Sequence, residues 1–193
     1  MDDRYRTIGS EGEGYYTEKR SRFLAFAHHV ESAEEVKALV DGYRKQYYDA
    51  RHVCYAYVLG PESGMFRAND DGEPSSTAGK PILGQLRSHE LTNALVVVVR
   101  YYGGVNLGTG GLIVAYREAA ADALAHAVIE ERVVEEMVEW TFPYEQMNGV
   151  MKIVKDMQPR IVEQQFDNTC RIRLAIRRSA VETLRTRLEH LEH

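Results

Sequence analysis

The chain has 193 residues, a formal net charge of −5 and 44% hydrophobic residues, which is ordinary for a globular protein with one sizeable core or two small ones. No apolar run approaches the length of a membrane span, and the first residues lack the apolar core of a signal peptide. The acidic balance excludes a surface that sheathes nucleic acid throughout, although it leaves room for a local basic face. These features predict a cytoplasmic protein in which Cys54 and Cys170 are reduced thiols.

Short strands and an amphipathic helix are predicted for the first part of the chain. A polar leader precedes a short strand at 23–27, and Ser32 is the N-cap of a helix with a capping box. Residues 50–60 predict a strand with His52 and Cys54 on one face. Side chains at i and i+2 of a strand stand about 6 to 7 Å apart, too far for the hydrogen bond that would activate a thiolate, so a Cys/His nucleophile is a minor alternative.

A polar, turn-rich loop follows at 69–81 and reads NDDGEPSSTAGKP. Turn formation alone would explain it as the cap of a short helix, with Asp71 and Gly72 making the bend. Its carboxylates, hydroxyls and lysine also suit hydrogen bonds to a ligand on a loop held by rigid elements. A calcium loop is not indicated, because Ala78 stands where the glutamate ligand is needed. The candidate ligand-binding residues of this loop are Asp70, Asp71, Glu73, Ser75, Ser76, Thr77 and Lys80.

A buried strand around 96–99 leads into a loop with five glycines among nine positions and then into a helix predicted over about 111–127. The glycines either pack the helix closely on the strand or form an anion-binding concavity at the helix N-terminus. Gly110 is expected to need positive φ, so Gly110→Val is expected to be harmful. Thr109 replaces the P-loop lysine and Ile113 breaks the dinucleotide fingerprint, so neither nucleotide site is indicated. The candidate anion-binding residues here are Arg100, Gly103, Gly104, Asn106, Gly108, Gly110 and Gly111.

The last third of the chain is predicted as strand, helix, strand, strand, helix over about 133–142, 144–157, 160–166, 168–177 and 179–189. Ser179 is the predicted N-cap of the last helix, with Glu182 as its capping-box partner. The order is ferredoxin-like without its last strand. One face of the second hairpin strand carries arginines that are candidate RNA contacts, although a solvated edge strand explains them equally well. These candidates are Arg171, Arg173 and Arg177.

Three motifs occur together: RHVCYAY at 51–57, DDGEPSSTAGKPIL at 70–83 and VRYYGGVNLGTGGL at 99–112. In this combination the chain resembles the IMPACT family, which includes the bacterial YigZ-type proteins, over roughly residues 14–127. It departs from the family pattern at Ser76, where Gly is common, and near Asn106 and Val114, where basic residues are common.

The resemblance implies an α+β protein of two domains. The first, at 14–130, is expected to be an Impact N-terminal domain with the fold of ribosomal protein S5 domain 2. The second, at 132–190, is expected to be ferredoxin-like, with the order βαββα and the last strand missing. Such a pairing is similar to domains IV and V of the translocating elongation factor. Residues 191–193 repeat the preceding Leu-Glu-His and are set aside as a tag remnant.

The expected function is non-enzymatic binding of RNA or of a ribosome- or translation-factor-associated surface, in translation or stress regulation. Eukaryotic relatives regulate a stress kinase through an additional domain that is not expected here. The alternatives are a hydrolase or peptidase-like enzyme that uses the 70–80 loop and a sensor of a small anion. The sequence shows no assembled triad, zinc motif or cofactor fingerprint, which favours a binding protein. Expected partners are RNA, the ribosome or a translation-associated protein; no DNA, membrane, metal, cofactor or catalytic residue is assigned.

Overall fold

The computed structural model describes residues 2–192, without the side chain of Glu192. Residues 5–132 form one compact unit, and residues 2–4 together with 133–192 form a second. The first unit therefore begins at residue 5 rather than at residue 14. Both cysteines are free and buried. None of the described helices is long and apolar enough to cross a bilayer.

The first unit contains most of the regular structure. Its strands are β1 (Arg4–Ser10), β2 (Gly12–Glu18), β3 (Ser21–His29), β4 (His52–Leu59), β5 (Met65–Asn69), β6 (Ala94–Tyr101) and β7 (Val128–Val133). Its helices are α1 (Ala33–Gln46), α2 (Gly79–Ser88) and α3 (Gly108–His126). Five strands form one sheet in the order β2-β3-β6-β4-β5, with every neighbouring pair antiparallel, and β1 pairs with β7 in a separate two-stranded sheet.

Strand β6 lies at the centre of the five-stranded sheet and is buried over residues 94–100. Successive side chains of a strand point to opposite faces, so this strand contributes to two cores. Val96 and Val98 pack in the core with α2 and α3. Val97 and Val99 pack in the core with α1 on the other face. Each such buried side chain contributes about 1.5 to 3 kcal/mol, which explains a run of valines without polar alternation.

The expectation of a polar leader before residue 15 is wrong, because β1 and β2 occupy that segment. Its sequence has few strand formers, yet Ile8 is fully buried. Gly12 and Gly14 lie directly against α3: a Cβ at either position would stand 2.2 Å from a backbone atom of Ala123. Glycine is used here because a helix backbone approaches the strand closely. Strands β5 and β7 were also not predicted, and α3 begins three residues earlier than expected.

The second unit has the predicted element order. It comprises β8 (Glu135–Pro143), α4 (Met147–Met157), β9 (Arg160–Phe166), β10 (Thr169–Arg177) and α5 (Val181–Glu189). The three strands form an antiparallel sheet in the order β8-β10-β9, and both helices pack on one face of it. The mixed α/β class is thereby confirmed. No fourth strand joins this sheet within residues 2–192.

The predicted cap at Ser179 is wrong, because a 3₁₀ turn at Arg178–Ala180 precedes α5. The Ser179 N–H donates instead to Asp3, at 3.0 Å. Asp3 is 3% exposed and also accepts two hydrogen bonds from Arg177, at 2.7 and 3.0 Å. The hydrogen bond from Arg177 and that from Ser179 hold the pKa of Asp3 well below its usual value. An N-terminal carboxylate thus organises the start of a C-terminal helix.

The segment set aside as a tag remnant lies partly outside the described residues, since His193 is not described. Leu191 packs against the core of the second unit, and its carbonyl accepts a hydrogen bond from Gln146 at 3.1 Å.

Candidate functional site

A cavity of about 380 Å³ opens in the first unit, where the ends of two strands, the 70–80 loop and the start of α3 meet. Residues next to or at the strand ends form one wall: Arg51, His52, Arg100 and Tyr102. Glu73 and Pro74 come from the acidic loop, and residues 106–109 with Leu112 come from the glycine loop and α3. The two loops singled out in the sequence therefore line the same cavity.

Glu73 is the centre of a buried polar network in the cavity wall. Its two carboxylate oxygens lie 2.9 and 2.7 Å from Nη1 of Arg100, and the hydroxyl of Tyr116 donates to it at 2.6 Å. Nε2 of His52 lies 3.2 Å from the same carboxylate, while Nδ1 of His52 lies 2.7 Å from the carbonyl oxygen of Asp71. Both ring nitrogens therefore lie within hydrogen-bonding distance of oxygens of the acidic loop. A buried carboxylate is compensated here by several donors.

Cys54 lies behind this network and is not poised as a nucleophile. Its sulfur lies 3.2 Å from the Asp70 carbonyl oxygen and 3.4 Å from the Tyr116 hydroxyl. Burial raises the pKa of the Cys54 thiol, and burial likewise raises the pKa of Tyr116. The hydrogen bonds of His52 go to Asp71 and Glu73. The thiol therefore stays protonated, and the Cys/His alternative has no activated pair to support it.

Asp70 organises the acidic loop rather than facing the cavity. One carboxylate oxygen accepts the N–H groups of Ala78 and Gly79, at 3.2 and 2.8 Å. The other oxygen accepts the N–H of Ser76 at 2.9 Å. The residue in the N-cap position of α2 is Ala78, which has no side-chain acceptor, so Asp70 supplies that function from eight residues earlier.

The remaining loop candidates also have local roles or face solvent. Asp71 accepts the N–H of Val53 at 2.7 Å, and the Thr77 hydroxyl donates to the Pro74 carbonyl at 2.5 Å. Ser75 and Lys80 are exposed. Among the predicted residues, those that line the cavity are Glu73, Arg100, Asn106 and Gly108. Those outside its lining are Asp70, Asp71, Ser75, Ser76, Thr77, Lys80, Gly103, Gly104, Gly110 and Gly111.

The glycines of the loop differ in what they do. Gly104 and Gly108 have φ of +87° and +75°, where other residues are strained. Gly103 packs against the turn between β2 and β3, since a Cβ there would lie 2.3 Å from the backbone of Arg20. Gly110 has neither constraint: its φ is not positive, and a Cβ there meets open space. The expectation that Gly110 needs positive φ is therefore wrong.

The start of α3 borders the cavity. Leu107 occupies the N-cap position and offers no side-chain acceptor, so the first-turn N–H groups have no side-chain cap within the described chain. They also form the positive end of a 19-residue helix. Beside them, the guanidinium of Arg51 stacks 4.6 Å from the ring centre of Tyr102. Neither residue was a sequence candidate, although both lie within the recognised motifs.

A larger groove of about 510 Å³ lies on the opposite face of the sheet, beside α1, β4 and β5. Its cations are Lys37, Arg44 and Arg67, and they are offset by Glu34 and Asp41. The start of α1 borders this groove, but Ser32 caps that helix by accepting the N–H of Glu35. The described residues that line the groove form no buried charge network, so the smaller cavity is the better candidate.

The arginines predicted to contact RNA in the second unit all have acidic partners. Arg171 and Arg173 each lie 3.0 to 3.9 Å from both Glu139 and Glu163 on the neighbouring strands. Arg177 pairs with Asp3, whose carboxylate lies 2.7 Å from its Nη2. Two cations face two anions across the sheet, so this face presents less positive charge than the sequence alone indicates.

The fold and the site together define a protein of two α/β units, the first of which carries a cavity lined by two arginines and the start of a helix. Residues 19–124 match the family model of the Impact N-terminal domain, and the chain belongs to the IMPACT family. The IMPACT family member YigZ of Escherichia coli (strain K12) is 36% identical over 162 residues, which cover 82% of this chain and 78% of that protein. The family prediction from three motifs is confirmed.

Solved structures extend the comparison. A crystal structure of a hypothetical protein has a TM-score of 0.75 and 30% identity, and it covers 97% of this chain and 92% of that one. The two-domain translational regulator Yih1 has a TM-score of 0.40 and 25% identity, over 62% of this chain and 48% of that one.

Proposed function

We propose that this protein is a non-enzymatic, cytoplasmic factor of translation that binds RNA presented by the ribosome. The observation that carries the proposal is the basic and aromatic mouth of the cavity, where the exposed Arg51 stacks on Tyr102 beside the uncapped start of α3. Arginine and aromatic planes are the groups on which proteins stack unpaired bases, and helix N-termini accept phosphates. The family resemblance implies a pair of domains similar to domains IV and V of the translocating elongation factor. For this reason we propose a role in translation.

The second unit contributes less to this binding. For Arg171 or Arg173 to contact a phosphate, each must exchange a carboxylate partner 3.0 to 3.9 Å away. Exposed ion pairs of this kind contribute about 0 to 1 kcal/mol. Exchanging the carboxylate for a phosphate therefore costs little free energy, but it also adds little to the affinity for RNA. The first unit is therefore expected to set the affinity.

The test is sedimentation of the purified protein with ribosomes between about 50 and 200 mM salt. Arg51→Ala is expected to weaken binding and to lower the salt slope by about 0.7, the value for one phosphate on a single strand. The matched control is Arg117→Ala, which removes a half-exposed arginine of α3 whose Nε lies 3.5 Å from Glu118. Absence of pelleting at the lowest salt, or equal slopes for wild type and Arg51→Ala, would contradict the proposal.

A further inference from the structure

We infer that one end of the five-stranded sheet binds single-stranded RNA, with unpaired bases stacked on two exposed arginines and phosphates held by the turn between β2 and β3. The inference rests on the proposed function, which names RNA as the ligand, and deepens it by naming an unpaired strand as the form that is recognised. This strand-end surface comprises four cations and two aromatic rings: Lys19, Arg20, Arg22, Arg51, Tyr101 and Tyr102.

Two arginine–tyrosine stacks form the aromatic part of the strand-end surface. The Cζ atom of Arg22 lies 4.7 Å from the ring centre of Tyr101, and that of Arg51 lies 4.6 Å from the ring centre of Tyr102. Both arginines are exposed, so the tyrosine covers one face of each guanidinium and leaves the other face to solvent. Proteins stack unpaired bases on such guanidinium planes, while the in-plane N–H groups remain available to phosphate oxygens.

Hydrogen bonds hold both tyrosine rings in place before a ligand binds. The hydroxyl of Tyr101 donates to Asp49 at 2.9 Å, and the hydroxyl of Tyr102 donates to Asn106 at 3.2 Å. The ring of Tyr101 also meets the ring of Tyr47 edge-on, with 6.4 Å between the ring centres. A guanidinium that is already stacked on a fixed ring loses less side-chain freedom on binding, which favours affinity.

The two stacks are close enough for one short strand to contact both. Arg22 and Tyr101 are direct partners in the β3–β6 ladder, and the N–H of Arg51 donates to the carbonyl of Arg100 at 2.9 Å on the other side of β6. Because neighbouring strands lie about 4.8 Å apart, the backbones of Arg22 and Arg51 are about 10 Å apart. Stacked nucleotides advance about 3.4 Å each, so this span corresponds to roughly three nucleotides. Tyr101 packs beside α1 and Tyr102 lines the cavity, so the path of the RNA runs over the end of β6.

The turn between β2 and β3 places two further cations at this end of the sheet. Lys19 and Arg20 are its two central residues, and their φ angles are +47° and +69°. Positive φ at both central positions is the pattern of a type I′ turn, which favours Asn-Gly because residues with a Cβ are strained there. The Ser21 hydroxyl accepts the N–H of Gly103 at 3.3 Å, so the turn lies beside the glycine loop. Charged residues that are kept at strained positions point to a function for their charge.

The strand-end surface is positive, although the whole chain has a formal net charge of −5. Two acidic side chains close by, Glu18 and Asp49, each accept a hydrogen bond from a tyrosine hydroxyl. Four positive charges and these two negative ones leave a net charge of +2, which attracts phosphates. The cations that have no carboxylate partner among residues 2–192 are Lys19, Arg20, Arg22 and Arg51.

This combination of planes and charges favours an unpaired strand over a duplex. In a duplex the bases cover each other's faces, so a guanidinium plane can stack on a base only where the strand is unpaired. Every base has a π-face, so stacking of this kind is largely independent of sequence. A duplex would contact the cations through its phosphates alone and would gain nothing from the two stacks.

The first test compares two forms of one RNA by fluorescence anisotropy, with the full chain. The probes are a short labelled single strand and the same labelled strand annealed to its complement, at about 50 mM salt. The single strand is expected to bind about tenfold more tightly or better, because stacking of one base already contributes about that factor. Equal affinity for the two forms, or tighter binding of the duplex, would overturn the inference.

Substitutions at Arg22 separate stacking from charge. Arg22→Lys keeps the positive charge but replaces a planar group by an ammonium. It is expected to weaken binding of the single strand about tenfold and to leave the salt slope unchanged. Arg22→Ala is expected to weaken binding as well and to lower the salt slope by about 0.7, the value for one phosphate. Wild-type affinity in Arg22→Lys would show that no base stacks there and would contradict the inference.

A double substitution in the turn separates binding from folding. Lys19→Asn with Arg20→Gly removes both charges and supplies the pair that a type I′ turn prefers. The melting temperature is expected to rise, whereas binding of the single strand weakens and its salt slope falls by about 1.4, for two phosphates. The matched control is Lys152→Ala with Lys155→Ala, which removes two exposed lysines of α4 and changes the net charge equally. Wild-type affinity and slope in the turn variant would remove the turn from the surface.

The outcomes for the two proposals are distinct. Binding of the single strand without any sedimentation with ribosomes would leave the strand-end surface as inferred and remove the proposed function. Sedimentation that depends on Arg51, without binding of the single strand, would remove the unpaired strand as the ligand and leave the proposed function, with folded RNA as the contact. Weaker single-strand binding and weaker sedimentation in the turn variant, with both kept in its control, support the two together.

Discussion

The carboxylate of Glu73 and the guanidinium of Arg100 meet at 2.7 Å, and both side chains are almost completely shielded from solvent. Because Glu73 belongs to the acidic loop and Arg100 to β6, this contact fixes the loop on the sheet. The hydroxyl of Tyr116 extends the contact to α3. The shape of the cavity thus depends on one buried ion pair.

Removing one partner of that pair is expected to be costly. Glu73→Ala should lower the free energy of unfolding of the first unit by about 3 to 5 kcal/mol, because it leaves the Arg100 charge buried without compensation. Urea denaturation followed by tyrosine fluorescence reports on this unit, since Tyr144 alone among the tyrosines lies outside it. The double variant Glu73→Leu, Arg100→Met is expected to recover part of the loss. A loss below about 1 kcal/mol in Glu73→Ala would show that the pair is not structurally important.

Ser76 occupies a left-handed backbone conformation, with φ of +67°. Such a conformation strains any residue with a Cβ, whereas glycine adopts it freely. Ser76→Gly is therefore expected to raise the free energy of unfolding by about 0.5 to 1 kcal/mol, measured by thermal or urea denaturation. The neighbouring Ser75 is exposed and has no positive φ, so Ser75→Gly is the control and should lower stability slightly. The prediction fails when both variants change stability in the same direction.

Asp3 makes the stability of the second unit depend on pH. Its pKa in the folded chain lies below the ordinary value of 3.8, so its contact stabilises fully above that pH, and the stabilisation is lost as the pH falls from about 4. Asp3→Asn should therefore be less stable than wild type at pH 5 to 7, and the difference should shrink below about pH 4. Fluorescence of Trp140, the single tryptophan, reports on this unit.

The matched control for Asp3 is Asp156→Asn. Asp156 forms a half-exposed pair with Arg187 at 3.0 Å, and surface pairs of this kind contribute little. A constant difference between Asp3→Asn and wild type from pH 7 to pH 2 would contradict the assignment, because it would show that ionisation of Asp3 is not the cause.

The purified protein is expected to hydrolyse neither nucleoside triphosphates nor peptides at the rates of dedicated enzymes, about 1 to 1000 per second. Burial raises the pKa of the Cys54 thiol, and the carboxylate of Asp70 is occupied by three backbone N–H groups. The measurement is a phosphate-release assay together with a fluorogenic peptide panel. Turnover that disappears in Asp71→Asn or Cys54→Ala would instead establish the hydrolase alternative.

Two identical local patterns show how far the sequence determines the fold. Ser32 and Ser179 each begin the pattern Ser-x-x-Glu, which predicts an N-cap. Ser32 accepts a hydrogen bond from the Glu35 N–H at 3.1 Å and caps α1 as predicted. Ser179 does not cap α5, because its backbone is held by Asp3, 176 positions away in the chain. A tertiary contact of that separation leaves no local signal in the sequence.

The same limit applies to the candidate site. Periodicity and glycine content were enough to place two loops beside a central strand. They could not show which of the three carboxylates of the acidic loop lies in the cavity, because all three have similar chemistry. Only the structure distinguishes Glu73, which points to Arg100, from Asp70, which binds the loop backbone. Strand β2 escaped prediction because its glycines are selected by the nearby α3 backbone rather than by strand propensity.

The position of Asp3 also affects how the protein can be divided experimentally. Residues 2–4 belong with the second unit, while the residues that immediately follow them belong to the first. A fragment that starts at Val133 would contain every strand of the three-stranded sheet and both helices that pack on it. It would nevertheless leave Arg177 and the N–H of Ser179 without their acceptor, Asp3. Isolation of the second unit therefore requires residues 2–4 to be rejoined to it, so this unit is not a contiguous piece of the chain.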